Sequence, residues 1–174
     1  ELFDVSIFLV LAIFSFITGG FHVYYAMNDN GAIRFLEYFF TAGIMAVVIA
    51  MLVNIRDVYT LLSIYSLTAT TMTFGYLEEK SSVVNLFFRP YYIGYVPYMT
   101  VWAILTWQFA RVATEAPSFV IAIFCLEFIL FTSFGVVQWY YIVRSNGTST
   151  EMNGAYNLLS LISKMLLVWL CVGG

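Results

Sequence analysis

Charge is what this sequence has least of. Only seven of its 174 residues are Lys or Arg and ten are Asp or Glu, against 62% hydrophobic residues and a mean hydropathy of +0.90. A soluble domain of this size needs far more polar surface, so a soluble globular fold is excluded. The net charge of −3 is spread over short connectors with no basic stripe, which excludes nucleic acid as a partner. A single histidine and two cysteines leave no basis for a metal site. Cys125 and Cys171 both sit inside apolar runs, where buried reduced thiols are expected and a disulfide is not. The sequence also lacks any nucleophile–base pattern, so it is not read as an enzyme.

What is present instead is hydrophobic length. Six apolar runs, near 5–27, 35–53, 58–77, 91–110, 118–143 and 155–172, recur along the chain. Each is close to the ~20 residues that cross a hydrocarbon core of ~30 Å. They are too long for barrel strands and do not alternate, so helices are expected. The expected fold class is an all-α membrane protein, with residues 1–174 forming one transmembrane helical domain in a lipid bilayer. The first run lacks a basic flank and a small-residue cleavage site, which argues against a signal peptide. The chain starts at Glu1 without a methionine, and an upstream segment is expected.

Six spans bring both ends to one side. The turns after spans one, three and five carry Arg34, Lys80, Arg89 and Arg144, whereas the opposite face offers Arg56 and Arg111. The positive-inside rule then puts the odd-numbered turns in the cytoplasm and the C-terminus outside. This orientation turns the Asn146 sequon away from the glycosylating compartment.

Three ionisable residues, Glu37, Glu127 and Lys164, fall within spans, and His22 lies near the end of the first. A charge at the bilayer centre costs about 2.5–3.5 kcal/mol on insertion scales, so such residues face the bundle interior. By helical rise Lys164 lies about 13 Å deep, too far to snorkel easily. Asn153, Asn157, Ser160 and Lys164 form one polar stripe on the last helix. Two readings of Lys164 stand side by side. One is a structural lysine paired with a membrane glutamate; the other is an amine that condenses with an aldehyde and needs a carboxylate counterion. Glu37 either points at headgroups or, with Thr41 one turn on, faces the interior. Glu127, Phe131, Phe134 and Gln138 share a helical face, a pattern that suits packing as well as a ligand.

Several longer motifs narrow these choices. "EY" at 37–38, "FGYLEEK" at 74–80, "GYVPY" at 94–98, "SFGVVQWYY" at 133–141 and "AYNLLSLISKMLLVW" at 155–169 resemble the heliorhodopsins, with a weaker match at Phe21 and His22. These are retinal proteins of inverted membrane orientation. The resemblance implies a seven-helix rhodopsin-like bundle of which the second to seventh helices are present here. It implies Lys164 as the retinal Schiff-base lysine, Glu37 as its counterion, and Ser160, one turn before the lysine, as a hydrogen-bonding neighbour. Tyr98, Phe131, Phe134, Gln138 and Met72 would line the pocket of a retinal that is all-trans in the dark. The same resemblance implies a homodimer and a signalling partner that the sequence does not identify.

The chain departs from the family pattern in three places. Thr41, Ala42 and Gly43 replace a serine-rich run, "TATTMT" replaces a familiar asparagine, and Glu127 stands where an apolar residue is expected. The function expected is a light-sensing photoreceptor. A light-gated proton pathway through Glu127 and His22 is a further expectation, since these groups flank Lys164 on opposite sides, and some virus-borne members of the family have such an activity. Each has a plainer reading: a headgroup-facing histidine, and a glutamate hydrogen-bonded to a neighbouring helix. The alternative function is a retinal-free structural subunit of a membrane complex.

Overall fold

The computed structural model describes residues 7–27, 33–81, 85, 88–144 and 150–173; the Asn146 sequon lies outside them. The described residues form six α-helices: α1 (Ile7–Met27), α2 (Ile33–Leu52), α3 (Val58–Lys80), α4 (Pro90–Val112), α5 (Ser118–Gln138) and α6 (Thr150–Gly173). A π-helical segment, Trp139–Arg144, continues α5. The fold is a helical membrane bundle.

Only α1, α2, the α5–π segment and α6 are long and apolar enough to cross a membrane on composition alone. The other two carry more polar side chains, and α3 shows how an apolar environment tolerates them. Thr68, Thr71 and Thr73 return their hydroxyl protons to the carbonyls of Ile64, Leu67 and Ala69 at 2.8–3.0 Å. Ser63 and Thr70 do the same toward Tyr59 and Ser66, each at 2.7 Å. Hydroxyls satisfied within their own helix leave no open donor for the surroundings to meet.

Helix α2 is the centre of the bundle. It packs against α1, α3 and α5, while α3 packs on α4 and α5 on α6. One apolar cluster, including Phe14, Ile49, Ile64, Leu105, Ile123 and Leu167, fills the half of the bundle near the α2–α3 turn. A second, built on Tyr38, Ile142, Met152 and Tyr156, fills the other half.

The α2–α3 turn is tightly specified. Asn54 adopts φ 67°, the amide of Ile55 donates to the carbonyl of Ala50 at 2.9 Å, and that of Asn54 donates to Met51 at 3.1 Å. This is a Schellman closure with asparagine in the left-handed position. Asp57 then caps α3 by accepting from the Thr60 amide at 2.7 Å. At the other end Glu78 closes the α3–α4 corner, accepting from Arg89 Nε at 2.7 Å and from the Tyr91 amide at 3.0 Å. With Pro90 at the first helical position, a glutamate from α3 satisfies an N-terminal donor of α4 that Arg89 leaves open.

One expectation is corrected. The cysteines are free but not buried: Cys125 is exposed on the bundle surface and Cys171 is half-buried. Arg34 and Arg89, counted for the orientation, are both buried in ion pairs, with Glu79 and Glu78.

Candidate functional site

Lys164 on α6 is 4% exposed and its Nζ ion-pairs with Glu37 of α2, which is fully buried. Glu37 therefore faces the interior, not the headgroups. The tyrosine hydroxyl of Tyr25, on α1, donates to Glu37 Oε2 at 2.8 Å. Thr41, one turn along α2, spends its hydroxyl proton on the Glu37 carbonyl at 2.9 Å and leaves the carboxylate to Lys164 and Tyr25. The Tyr38 ring lies 5.4 Å from Lys164 Nζ, a cation–π distance. Tyr38 is itself held by donation to the Tyr156 carbonyl at 3.2 Å, while the Ser160 hydroxyl is buried with no hydrogen-bond partner among the described residues. Two buried charges thus sit in contact, with donors and a ring face around them, as burial of charge requires.

Lys164 and Ser160 also stand at the wall of a cavity between the helices. Met72, Tyr98, Phe131, Phe134 and Gln138 line the same cavity. The structure therefore brings together every residue expected at the pocket. Their positions are fixed from behind. Tyr98 is hydrogen-bonded to Thr132 at 2.7 Å, and the Gln138 amide donates to the Gly75 carbonyl at 2.8 Å. Tyr91 bonds Tyr95 at 2.8 Å and donates to the Gly135 carbonyl at 3.0 Å. Close helix contact makes the cavity's shape: a Cβ on Gly94 would lie 2.9 Å from Cβ of Phe74.

Glu127 and His22 lie beside this centre, not in the cavity wall. Glu127 is fully buried on α5, and its Oε2 accepts from the Ser163 hydroxyl at 2.8 Å. Its other oxygen has no partner among the described residues. Ser163 lines the cavity and directly precedes Lys164, so consecutive residues of α6 hold the two carboxyl groups. His22 is partly buried, with its ring edge-on to Tyr25 at 5.8 Å and its Nε2 enclosed without a partner. It joins the Glu37 cluster through Tyr25.

Three participants escape a reading of the sequence. Tyr25 and Ser163 are single hydroxyls on apolar helices, and only their spacing from His22 and Lys164 hints at them. Arg34, counted as a connector charge, is buried between the rings of Phe35 and Tyr156 at 4.9 and 4.7 Å, with Glu79 and Asn153 as polar partners. It closes the end of the bundle nearest Glu37. Asn153, the first residue of the polar stripe, is thereby occupied by Arg34.

The sequence pattern of heliorhodopsins matches residues 1–174. The chain belongs to the heliorhodopsin family. As a heliorhodopsin it is a rhodopsin-type light-sensing protein of the membrane, in a family of photoreceptors and not of conventional enzymes. Membership implies a retinal chromophore. No curated protein matches the chain.

Proposed function

We propose that this heliorhodopsin senses light through retinal held on Lys164 as a Schiff base, with Glu37 as counterion. The observation that carries the reading is the buried Lys164–Glu37 ion pair at the wall of an aromatic-lined cavity. Bound retinal, all-trans in the dark, supplies the absorption and the light-driven change of shape. The chain supplies the rest. Glu37 stabilises positive charge at Lys164, Tyr25 fixes the carboxylate, the Tyr38 ring lies against the lysine, and Ser160, one turn before it, lines the same cavity. Tyr98, Phe131, Phe134 and Met72 confine an apolar ligand and exclude water, while Gln138, tied to Gly75, fixes the α3–α5 wall.

Family membership favours the photoreceptor over a retinal-free structural subunit. The test is to add all-trans retinal to the purified protein and record its spectrum. A visible band is expected in the parent and none in Lys164→Ala, since among the described residues Lys164 is the one lysine inside the bundle. A covalent visible adduct surviving in Lys164→Ala would overturn the assignment.

A light-gated proton conductance extends this reading, favoured by the unpartnered oxygen of Glu127 and by His22 on the Glu37 side. Proton stations on both sides of a switchable carrier are what such a path requires. Glu127→Gln keeps the shape but carries no exchangeable carboxyl proton, and it should remove the light current recorded by patch clamp. A parent with a photocycle and no current leaves only the sensor. The C-terminus is assigned outside by the positive-inside bias of Arg34, Lys80, Arg89 and Arg144. The assembly implied by the family resemblance is a homodimer.

A further inference from the structure

Away from the Lys164 cavity, at the end of the bundle where α2 turns into α3, lies an open groove. Ala103 and Ile104 of α4 form part of its floor, and Asn54, Arg56, Asp57, Trp107 and Gln108 bring polar and aromatic atoms to it. Its position is that of a membrane–water boundary: apolar helices lie on one side, and the exposed Asn54, Arg56 and Asp57 mark the turn.

The turn is rigid, and so is what it presents. The Schellman closure holds Asn54, whose Oδ1 accepts from Arg56 Nε at 3.3 Å. That contact tethers the guanidinium by one nitrogen, and Arg56 lines the groove. Asp57 keeps its charge because the Thr60 hydroxyl and amide bond it at 2.6 and 2.7 Å, holding its carboxyl below the usual range. Trp107 is 73% exposed, far more than a ring packed against protein would be. The groove therefore offers one fixed cation, one fixed anion and one bare indole face.

We propose that this groove binds the headgroup of a zwitterionic phospholipid of the phosphatidylcholine class. The phosphate meets Arg56, and the quaternary ammonium lies on the Trp107 face near Asp57. A guanidinium matches phosphate geometry, and tryptophan is the best aromatic partner for a quaternary ammonium. Tryptophan is also the side chain enriched where bilayer meets water. An anionic headgroup is a poorer match, because Asp57 stands next to Arg56 and offsets its charge. The acyl chains then lie along the apolar outer face that α4 presents through Val96 and Met99, which are 68% and 61% exposed.

The test is independent of any chromophore. The full chain in detergent is mixed with equal amounts of dioleoylphosphatidylcholine and dioleoylphosphatidylglycerol, and retained lipid is counted by native mass spectrometry. Retention should favour phosphatidylcholine by about threefold or more, the scale of one exposed ion pair plus one cation–π contact. Trp107→Leu should lower that ratio by about twofold to fivefold, and Arg56→Gln should lower the total lipid retained by a similar factor, because both lipids offer a phosphate to Arg56. Asp57→Asn, which keeps a capping side chain, should shift the preference toward phosphatidylglycerol. No discrimination by the parent, a preference for the anionic lipid, a ratio unmoved by Trp107→Leu and Asp57→Asn, or lipid retention unchanged in Arg56→Gln would each overturn the proposal. So would a Trp107→Leu protein that loses self-association with its lipid ratio intact, because the groove would then be a protein interface. Should a substituted chain fail to fold, the competition on the parent still decides.

Discussion

Replacing Glu37 by Gln removes the counter-charge from Lys164 and almost nothing else. The amide keeps the shape and still accepts from Tyr25, so the perturbation is electrostatic. With Lys164 4% exposed and Glu37 fully buried, water does little to screen either partner. Removing one member of a buried pair costs about 3–5 kcal/mol, because the survivor is left uncompensated. The cation–π contact with Tyr38 offsets part of that loss, which places the expected cost near 3 kcal/mol. At this chain length each kcal/mol moves the melting temperature by about 2–4 °C, so Glu37→Gln should melt about 6–12 °C below the parent. Tryptophan fluorescence of the retinal-free protein in detergent at neutral pH measures it. Lys164→Met combined with Glu37→Gln should recover most of the loss, since neutral side chains of similar volume replace a buried pair at little cost. A single substitution that melts with the parent, or a double as unstable as the single, would refute the reasoning.

Gly94→Ala places a methyl group 2.9 Å from Cβ of Phe74, an atom too near the backbone to swing aside, so α3 and α4 must separate. Overpacking of this kind costs about 1–3 kcal/mol, and the melting temperature should fall accordingly; an unchanged melt would show that the two helices are not held at this distance. Asp57, bonded by the Thr60 hydroxyl and amide, has its carboxyl held below the usual range. It therefore contributes stability above the ordinary carboxylate pKa, and that contribution is lost as pH falls through its folded value. The gap in melting temperature between parent and Asp57→Ala should narrow on acidification, and a gap that widens would contradict the cap.

How far the site was legible depended on the residue type. Lys164, Glu37 and Glu127 stand out in a string of apolar residues because a membrane span has to justify each charge. The stripe of Phe131 and Phe134 with Gln138 beside them follows from helical spacing and faces the cavity as that spacing requires. Tyr25 and Ser163 were not legible. A hydroxyl costs little in a helix, so its presence carries no signal until a neighbouring helix shows what it donates to. Arg34 misled for a related reason. Its place beside a connector looks like surface charge, and only the approach of Glu79 and Asn153 from two other helices makes it a buried clasp.

The sequence by itself determined the class of the molecule. Hydrophobic length and scarcity of charge allow helices in a bilayer and little else, and the motifs around Glu37 and Lys164 carry the family. The α2–α3 turn was also written locally, in an asparagine that tolerates positive φ and an aspartate three residues later that caps the next helix. What only the tertiary structure decided is which polar groups meet. Glu37 and Lys164 are 127 residues apart and Ser163 and Glu127 are 36 apart. Periodicity assigns each to a helix face but says nothing of which faces oppose one another. That choice belongs to the packing of α2 against α1, α3 and α5 and of α5 against α6. The low-dielectric interior then leaves each buried charge no option but the partner that packing brings to it.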